Sequence, residues 1–154
     1  MTAAGDKRIL QRARNLLHRP LADKLLLLKV LVLLGATRLA INVLPFSRLE
    51  RMLGKRMQES EREISTEEQA YARRIRWAVG IISPYTPWKS NCFPQALTAK
   101  ILLRRRGISS TLYMGAAFKE EGSLQGHAWL RCGPYYLTGG DSESRFGAIA
   151  SFAD

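Results

Sequence analysis

Gly107 separates two stretches of the chain with different hydrophobic periods. Before it, apolar residues such as Ala96, Leu97 and Ile101 recur at the spacing of one helix face. After it, short strand-forming segments are separated by turn residues such as Gly133-Pro134. A chain with this order folds as helices followed by an antiparallel sheet, so the sequence predicts an α+β fold.

Proline, glycine and capping residues set the expected boundaries of the elements. Ser65 and Glu68 form a capping-box pattern that begins a helix at Thr66, and Pro94 suits the first turn of the next helix. Helices are predicted over residues 7–18, 21–44, 46–58, 66–82 and 93–106, and strands over 110–117, 127–132 and 135–138. Residues 58–63 are expected to form a linker and 83–87 an irregular loop. We therefore divide the chain into a basic, leucine-rich helical region, 1–60, and a core, 61–154.

The composition indicates a small basic protein with one real hydrophobic core. The 154 residues are 46% hydrophobic, and the formal net charge is +11. Such a charge attracts acidic peptides, nucleic acid or anionic membranes without choosing among them, so a non-catalytic basic binding module stays an alternative. The aromatic residues do not alternate with the basic ones as a nucleic-acid stacking surface requires, so we expect no nucleic-acid partner. Two cysteines are too few for a disulfide scaffold, which favours the cytoplasm.

The apolar run that begins at Leu25 is not expected to cross a membrane. Lys29 interrupts it and Gly35 follows, whereas a spanning helix needs about 20 mostly apolar residues. We also expect no secretory signal, because no small-residue cleavage site follows the run. Residues 21–53 either pack on the core or dock a partner; contact with a membrane surface is possible, because the flanks are basic, but not favoured.

Cys92 is the strongest candidate for chemistry, because it stands where the helix containing Pro94 is expected to begin. The positive end of a helix dipole favours thiolate over thiol, and the thiolate is the attacking species of cysteine nucleophiles. Backbone N–H groups at the same helix start are suited to stabilise an oxyanion. The alternative is a small apolar residue at the edge of the core.

A cysteine nucleophile also needs a base and a group that orients the base. His127 lies on a predicted strand, although an ordinary histidine on a strand face would look the same. His18, in the basic N-terminal segment, is expected to be a surface residue. Asp141 follows the third predicted strand and is the candidate for the orienting carboxylate, with Glu143 close by.

Two tryptophans flank the proposed site, and the second cysteine has a different environment. Trp129 is two residues from His127 and therefore shares its strand face, while Trp88 precedes the expected helix start. Both are candidates for walls of the site. Cys132 ends a strand with no helix start beside it, so we expect a structural role. The cysteines and histidines lack the paired spacing of zinc ligands, and no metal site is predicted.

Several segments resemble one known family. The run from Cys92-Phe93-Pro94 to Arg104-Arg105-Arg106-Gly107-Ile108, and the segment Gly126-His127-Ala128-Trp129-Leu130-Arg131-Cys132-Gly133, closely resemble the leader peptidases of lasso-peptide biosynthesis. The apolar first half, ending in Leu44-Pro45-Phe46, is also similar to that family. These peptidases are transglutaminase-like cysteine proteases. The resemblance implies a transglutaminase-like or papain-like core, with Cys92 as nucleophile, His127 as general base and Asp141 as the acidic member.

The resemblance also implies an activity and partners. The family removes the leader from a ribosomally made precursor peptide through an acyl-enzyme, without a cofactor. Residues 1–60 do not resemble a leader-recognition module, so a separate small leader-binding protein is expected. An ATP-dependent lasso cyclase would then use the amine that cleavage exposes. Transamidation by the same triad, as in a transglutaminase-like acyltransferase, stays an alternative.

Overall fold

The computed structural model describes residues 19–118, 121–140 and 145–154, which form helices packed on one face of an antiparallel sheet. The helices are α1 (Leu21–Val43), α2 (Phe46–Leu53), α3 (Thr66–Ile82) and α4 (Cys92–Arg104). The strands are β1 (Lys55–Arg56), β2 (Thr111–Phe118), β3 (Leu124–Cys132), β4 (Tyr135–Thr138) and β5 (Gly147–Ala153). The α+β prediction is confirmed. The helix predicted over residues 7–18 lies outside the described residues.

The sheet has the strand order β1-β5-β2-β3-β4, with antiparallel pairs throughout. Strand β5 is not predicted from the sequence, because its glycine, alanine and serine residues have little strand propensity. Pairing on both sides, with β1 and β2, makes it a strand. Strand β3 also begins at Leu124, three residues before the predicted start, because its first residues pair with the end of β2.

Helix α4 is buried along most of its length between the other helices and the sheet. It packs against α1, α3 and β3, and Leu97 and Leu103 lie in the same hydrophobic core as Val30 and Leu34 of α1. The leucine-rich helical region thus shares its core with residues beyond 60. The division of the chain at residue 60 stays a prediction.

The predicted helix over 46–58 is wrong after Leu53. Gly54 has a φ of 107°, a backbone conformation that glycine adopts most easily, and a Cβ there would collide with the Ala153 backbone. The chain therefore leaves the helix at Gly54, and the next two residues pair with β5. The loop predicted over 83–87 also contains a short 3-10 helix, Ser83–Tyr85, in which Pro84 needs no N–H partner.

The predicted linker, 58–63, has no helix or strand but is bonded to the sheet through Arg131. The guanidinium of Arg131 is buried and donates to the Ser60 carbonyl at 2.8 Å and the Gly133 carbonyl at 2.8 Å. It also donates to the Tyr113 hydroxyl at 3.1 Å and lies 3.3 Å from the Glu59 carboxylate. A buried charge is tolerated only with such partners, so Arg131 holds the irregular segment against β2 and β3.

Lys100 is a second buried cation, in the middle of α4. Its Nζ donates to the carbonyls of Ser110 at 2.9 Å and Phe152 at 3.3 Å, and to the Asp154 carboxylate at 2.9 Å. Arg104, one turn later, also binds Asp154. Desolvation by burial lowers the pKa of Lys100 from 10.5, while the Asp154 carboxylate opposes the shift.

We expect Lys100 to make stability depend on alkaline pH. Its pKa is lower in the folded protein, so the unfolded chain binds more protons, and the lysine's contribution to the free energy of unfolding rises with pH up to about 10.5. The free energy of unfolding of wild type and of Lys100→Met is measured with denaturant at several pH values. Between neutral pH and about 10.5, the stability of wild type relative to Lys100→Met should increase. The exposed lysine variant Lys89→Met is the control. A difference between wild type and Lys100→Met that is independent of pH would contradict this.

Candidate active site

Cys92 is the first residue of α4 and is half-buried. Asn91 precedes the helix with an extended backbone, and its side chain makes no cap hydrogen bond. The N–H groups of the first turn are therefore not occupied by a capping side chain. The backbone carbonyl of Asn91 accepts from the Gln95 N–H at 3.2 Å, which closes the first turn. The prediction that this thiol stands at a helix start is confirmed.

Side-chain hydrogen bonds hold the loop that leads to Cys92. The Thr86 hydroxyl lies 3.1 Å from the Ser83 carbonyl, 2.9 Å from the Trp88 carbonyl and 2.8 Å from the Ser90 hydroxyl. The Gln95 amide reaches back to the Ser90 carbonyl at 2.7 Å. The loop and the first turn of α4 are thus bonded to each other, which fixes the backbone on both sides of the thiol.

His127 lies on β3, and its imidazole has a defined orientation. Nε2 is 2.9 Å from the carbonyl oxygen of Gly139. A carbonyl only accepts, so Nε2 carries the proton in the neutral ring and Nδ1 is the basic nitrogen. Phe146 stacks on the ring with centroids 4.7 Å apart, and Trp129 stacks with centroids 5.8 Å apart. The ring is held by one hydrogen bond and two aromatic faces.

Trp129 has room for this stacking because its neighbour on β2 is a glycine. A Cβ at Gly115, the residue paired with His127, would lie 2.8 Å from the Trp129 ring. The structure thus brings Trp129 beside His127, while its role as a wall of the site stays a prediction. Trp88 lies elsewhere, against Gly35 of α1, where a Cβ would lie 3.1 Å from its ring. The Trp88 Nε1 is buried and has no hydrogen-bond partner among the described residues.

Sequence reasoning missed two residues that contact His127. Phe146 carried no signal, because a lone aromatic before an unpredicted strand looks like any core residue. Gly139 could be noticed only as part of the glycine pair that precedes Asp141.

Asp141 and Glu143 themselves lie outside the described residues, so the acidic member of the triad stays a prediction. Helix α4 packs on β3 through the face that carries Leu130 and Cys132, whereas His127 shares the opposite face with Trp129. Among the described residues, no hydrogen bond joins Cys92 to His127.

The comparisons with known proteins give one match. The profile of the transglutaminase-like superfamily matches residues 32–151, most of the chain. The chain belongs to the transglutaminase-like superfamily. No curated protein and no solved structure matches it. Transglutaminase-like proteins include cysteine proteases and acyltransferases, and both use a thiol nucleophile with an imidazole base.

A groove of about 390 Å³ lies beside the site of this transglutaminase-like protein. Gln95, one turn beyond Cys92 on α4, and Gly139, which binds His127, both line it, and Arg76 contributes positive charge from α3. The Thr138 hydroxyl, also in the lining, is buried and has no partner among the described residues. Because this hydroxyl is buried, it is not accessible from the groove, and Arg76 is the lining residue that suits a polar or acidic ligand.

The two cysteines of this transglutaminase-like protein have different surroundings. Cys132 is buried, and desolvation, together with the nearby Glu68 carboxylate, raises its pKa to about 11. A thiol of this kind packs as an apolar residue and does not react. Within residues 19–118, 121–140 and 145–154, no group of three or more histidine, cysteine or acidic residues is arranged to hold a metal ion.

We expect iodoacetamide to distinguish the two thiols. At mildly alkaline pH the native protein should gain one adduct, on Cys92, because Cys132 is buried and protonated. Intact-mass and peptide mass spectrometry would locate the adduct, and protein unfolded in guanidinium should gain two. Native protein that is alkylated on Cys132 first would contradict the assignment.

Gly139→Ala should disturb His127 specifically. Gly139 has a φ of 67°, and a Cβ there would lie 2.9 Å from His127 Nε2 and 2.6 Å from the Ala128 carbonyl. Gly107→Ala is the matched control, because Gly107 has a φ of 69° and open space around it. Both changes cost left-handed strain of about 1–2 kcal/mol. Imidazole nitrogen chemical shifts of His127, assigned with a His18→Gln variant, should change only in Gly139→Ala. Equal shifts in both variants would mean that the contact does not orient the ring.

Proposed function

We propose that this protein is a cysteine peptidase that removes the leader from a ribosomally synthesised lasso-peptide precursor. Its superfamily supports thiol chemistry, and the segments around Cys92 and His127 resemble the leader peptidases of that pathway. The observation that carries the proposal is the hydrogen bond from His127 Nε2 to the Gly139 carbonyl. It leaves Nδ1 as the nitrogen that can accept a proton.

The proposed reaction requires the Cys92 thiol to come within hydrogen-bond distance of His127, and it begins with transfer of the thiol proton to Nδ1. The thiolate sulfur then attacks the carbonyl carbon of the scissile peptide bond, and backbone N–H groups at the start of α4 stabilise the oxyanion. The imidazolium donates its proton to the leaving amine, so the C–N bond breaks and an acyl-enzyme forms. Water, deprotonated by the same imidazole, releases the leader as a carboxylate. Asp141 is the proposed acidic member that stabilises the imidazolium.

The groove supports a peptide as the substrate. It borders β4, an edge strand of the described sheet, whose backbone groups are suited to bind an extended chain. It is lined by Arg76, whose positive charge fits acidic groups of a peptide. A chain lying in this groove would pass Gly139, whose carbonyl accepts a hydrogen bond from His127 Nε2.

The proposed partners follow from the resemblance to the leader peptidases. A separate small leader-binding protein would deliver the precursor, and an ATP-dependent lasso cyclase would use the new amine of the core peptide. The proposed location is the cytoplasm, where precursor peptides are made and where a reactive thiol stays reduced.

Transamidation is the second candidate, because the superfamily also contains acyltransferases. The acyl-enzyme is the same in both reactions, and the acceptor differs. Adding glycine ethyl ester to the cleavage reaction separates them by mass spectrometry. A peptidase releases the leader with a free carboxylate, whereas an acyltransferase releases it mainly as the amide.

The central experiment is cleavage of a precursor peptide in the presence of its leader-binding protein. Cys92→Ala and His127→Asn should each lower the rate by more than about 10³-fold, because nucleophile and base act as one unit. Cys132→Ala is the matched control for loss of a thiol and should keep most of the activity if the variant folds, which circular dichroism checks. Cleavage by Cys92→Ala at the wild-type rate would disprove the proposed mechanism.

A further inference from the structure

Helix α1 is apolar on two opposite faces, and within residues 19–118, 121–140 and 145–154 only one of them is covered. Leu26, Leu27, Val30 and Leu34 pack into the core. The opposite face carries large aliphatic side chains that are 47–70% exposed, and we call them the outer stripe: Leu21, Leu25, Leu28, Val32, Leu39 and Val43. Single exposed leucines are ordinary on protein surfaces, but a contiguous apolar patch of this kind marks a binding surface.

The outer stripe runs the whole length of the helix. Its members are separated by three, four or seven positions, so they lie in one row along a helix of 23 residues. At 1.5 Å per residue, this row is about 35 Å long. A row of this length can lie along an extended surface, whereas a pocket for one side chain would need a concave site.

Basic residues border the outer stripe. Lys29 is four positions after Leu25 and three before Val32, while Lys24 is three after Leu21 and four before Leu28, so each lysine adjoins the row. The single acidic residue of α1, Asp23, is paired with Arg74 at 2.7 Å. Residues 19–60 contain eight lysines and arginines against three acidic residues. The surface therefore combines aliphatic side chains with positive charge.

We propose that the outer stripe binds the surface of an anionic phospholipid membrane. Helix α1 would lie parallel to the bilayer, with its leucines and valines among the upper acyl chains and its lysines at the phosphates. Among the described residues, α1 is the helix long and apolar enough to span a membrane, with a mean hydropathy of 1.9. It does not span one here, because its opposite face is part of the protein core. This binding is independent of the proposed peptidase activity.

The chemistry of the outer stripe favours lipid over protein. The hot-spot residues that carry most of the binding energy of protein interfaces are enriched in tryptophan, tyrosine and arginine, whereas leucine and valine are under-represented among them. The six members of the stripe are all leucine or valine. A second copy of this chain would place the same lysines against this basic face, and like charges oppose that contact. An anionic lipid surface matches both the charge and the aliphatic row.

The test is flotation of the full chain with vesicles of phosphatidylcholine and phosphatidylglycerol, and with vesicles of phosphatidylcholine alone. Wild type should float with the anionic vesicles, and raised salt should weaken the binding. The triple variant Leu28→Gln, Val32→Gln, Leu39→Gln should bind at least about tenfold less, because membrane affinity scales with the apolar area inserted. These side chains are exposed, so the variant is expected to fold, and circular dichroism with Cys92 alkylation checks this.

The matched control changes three exposed apolar residues away from α1: Met57→Gln, Phe118→Gln, Ile149→Gln. It should bind anionic vesicles as wild type does. The proposal is overturned if wild type does not float with anionic vesicles, or if the α1 variant binds as well as the control. It is also overturned if the α1 variant still binds anionic vesicles as wild type does but loses dimerisation or loses stimulation by a leader-binding protein. The stripe would then be a protein interface. Peptidase activity is assayed without vesicles, so an absence of peptidase activity would contradict the proposed function and leave the vesicle result unaffected.

Discussion

The buried ammonium of Lys100 fixes where the central helix sits. A cation in the middle of α4 is stable only where oxygen atoms surround it, and these come from Ser110, Phe152 and Asp154. Those residues lie just before β2 and at the end of β5, so one charge joins the helix to two strands of the sheet. Because a helix is stiff, fixing Lys100 also fixes Cys92 two turns earlier. The position of the candidate nucleophile thus depends on a contact remote from it.

The imidazole is positioned by a different set of contacts. Gly139 fixes which nitrogen carries the proton, and the aromatic rings of Trp129 and Phe146 hold the plane of the ring. Gly115 and Gly139 take part through the absence of a side chain, since a Cβ at either position would strike this cluster. A base with a preset tautomer and orientation needs less reorganisation during proton transfer, which is how enzyme sites gain rate.

The two faces of α1 explain why its sequence was difficult to interpret. Its mean hydropathy of 1.9 would suit a membrane helix, while its buried leucines belong to the hydrophobic core of the protein. In the proposed membrane contact, α1 would bind the bilayer surface with one face while its other face stays packed in the protein core. Residues 21–53 are expected either to pack on the core or to dock a partner. In the part of the chain that the structure describes, packing uses one side of α1, and the side chains of the outer stripe are exposed.

Local chemistry determined much of the helical part. The capping box of Ser65 and Glu68, Pro94 and the apolar spacing placed α3 and α4 close to their observed limits, and with them the helix start at Cys92. These signals act between residues a few positions apart, so the sequence alone contains them. Pairing between distant segments decided the rest. Strands β1 and β5 have little propensity of their own, the contact of His127 with Gly139 joins two strands, and Lys100 and Arg131 find their oxygens far along the chain. Contacts of that kind join residues far apart in the sequence, so they form only when the chain has folded and local sequence patterns do not predict them.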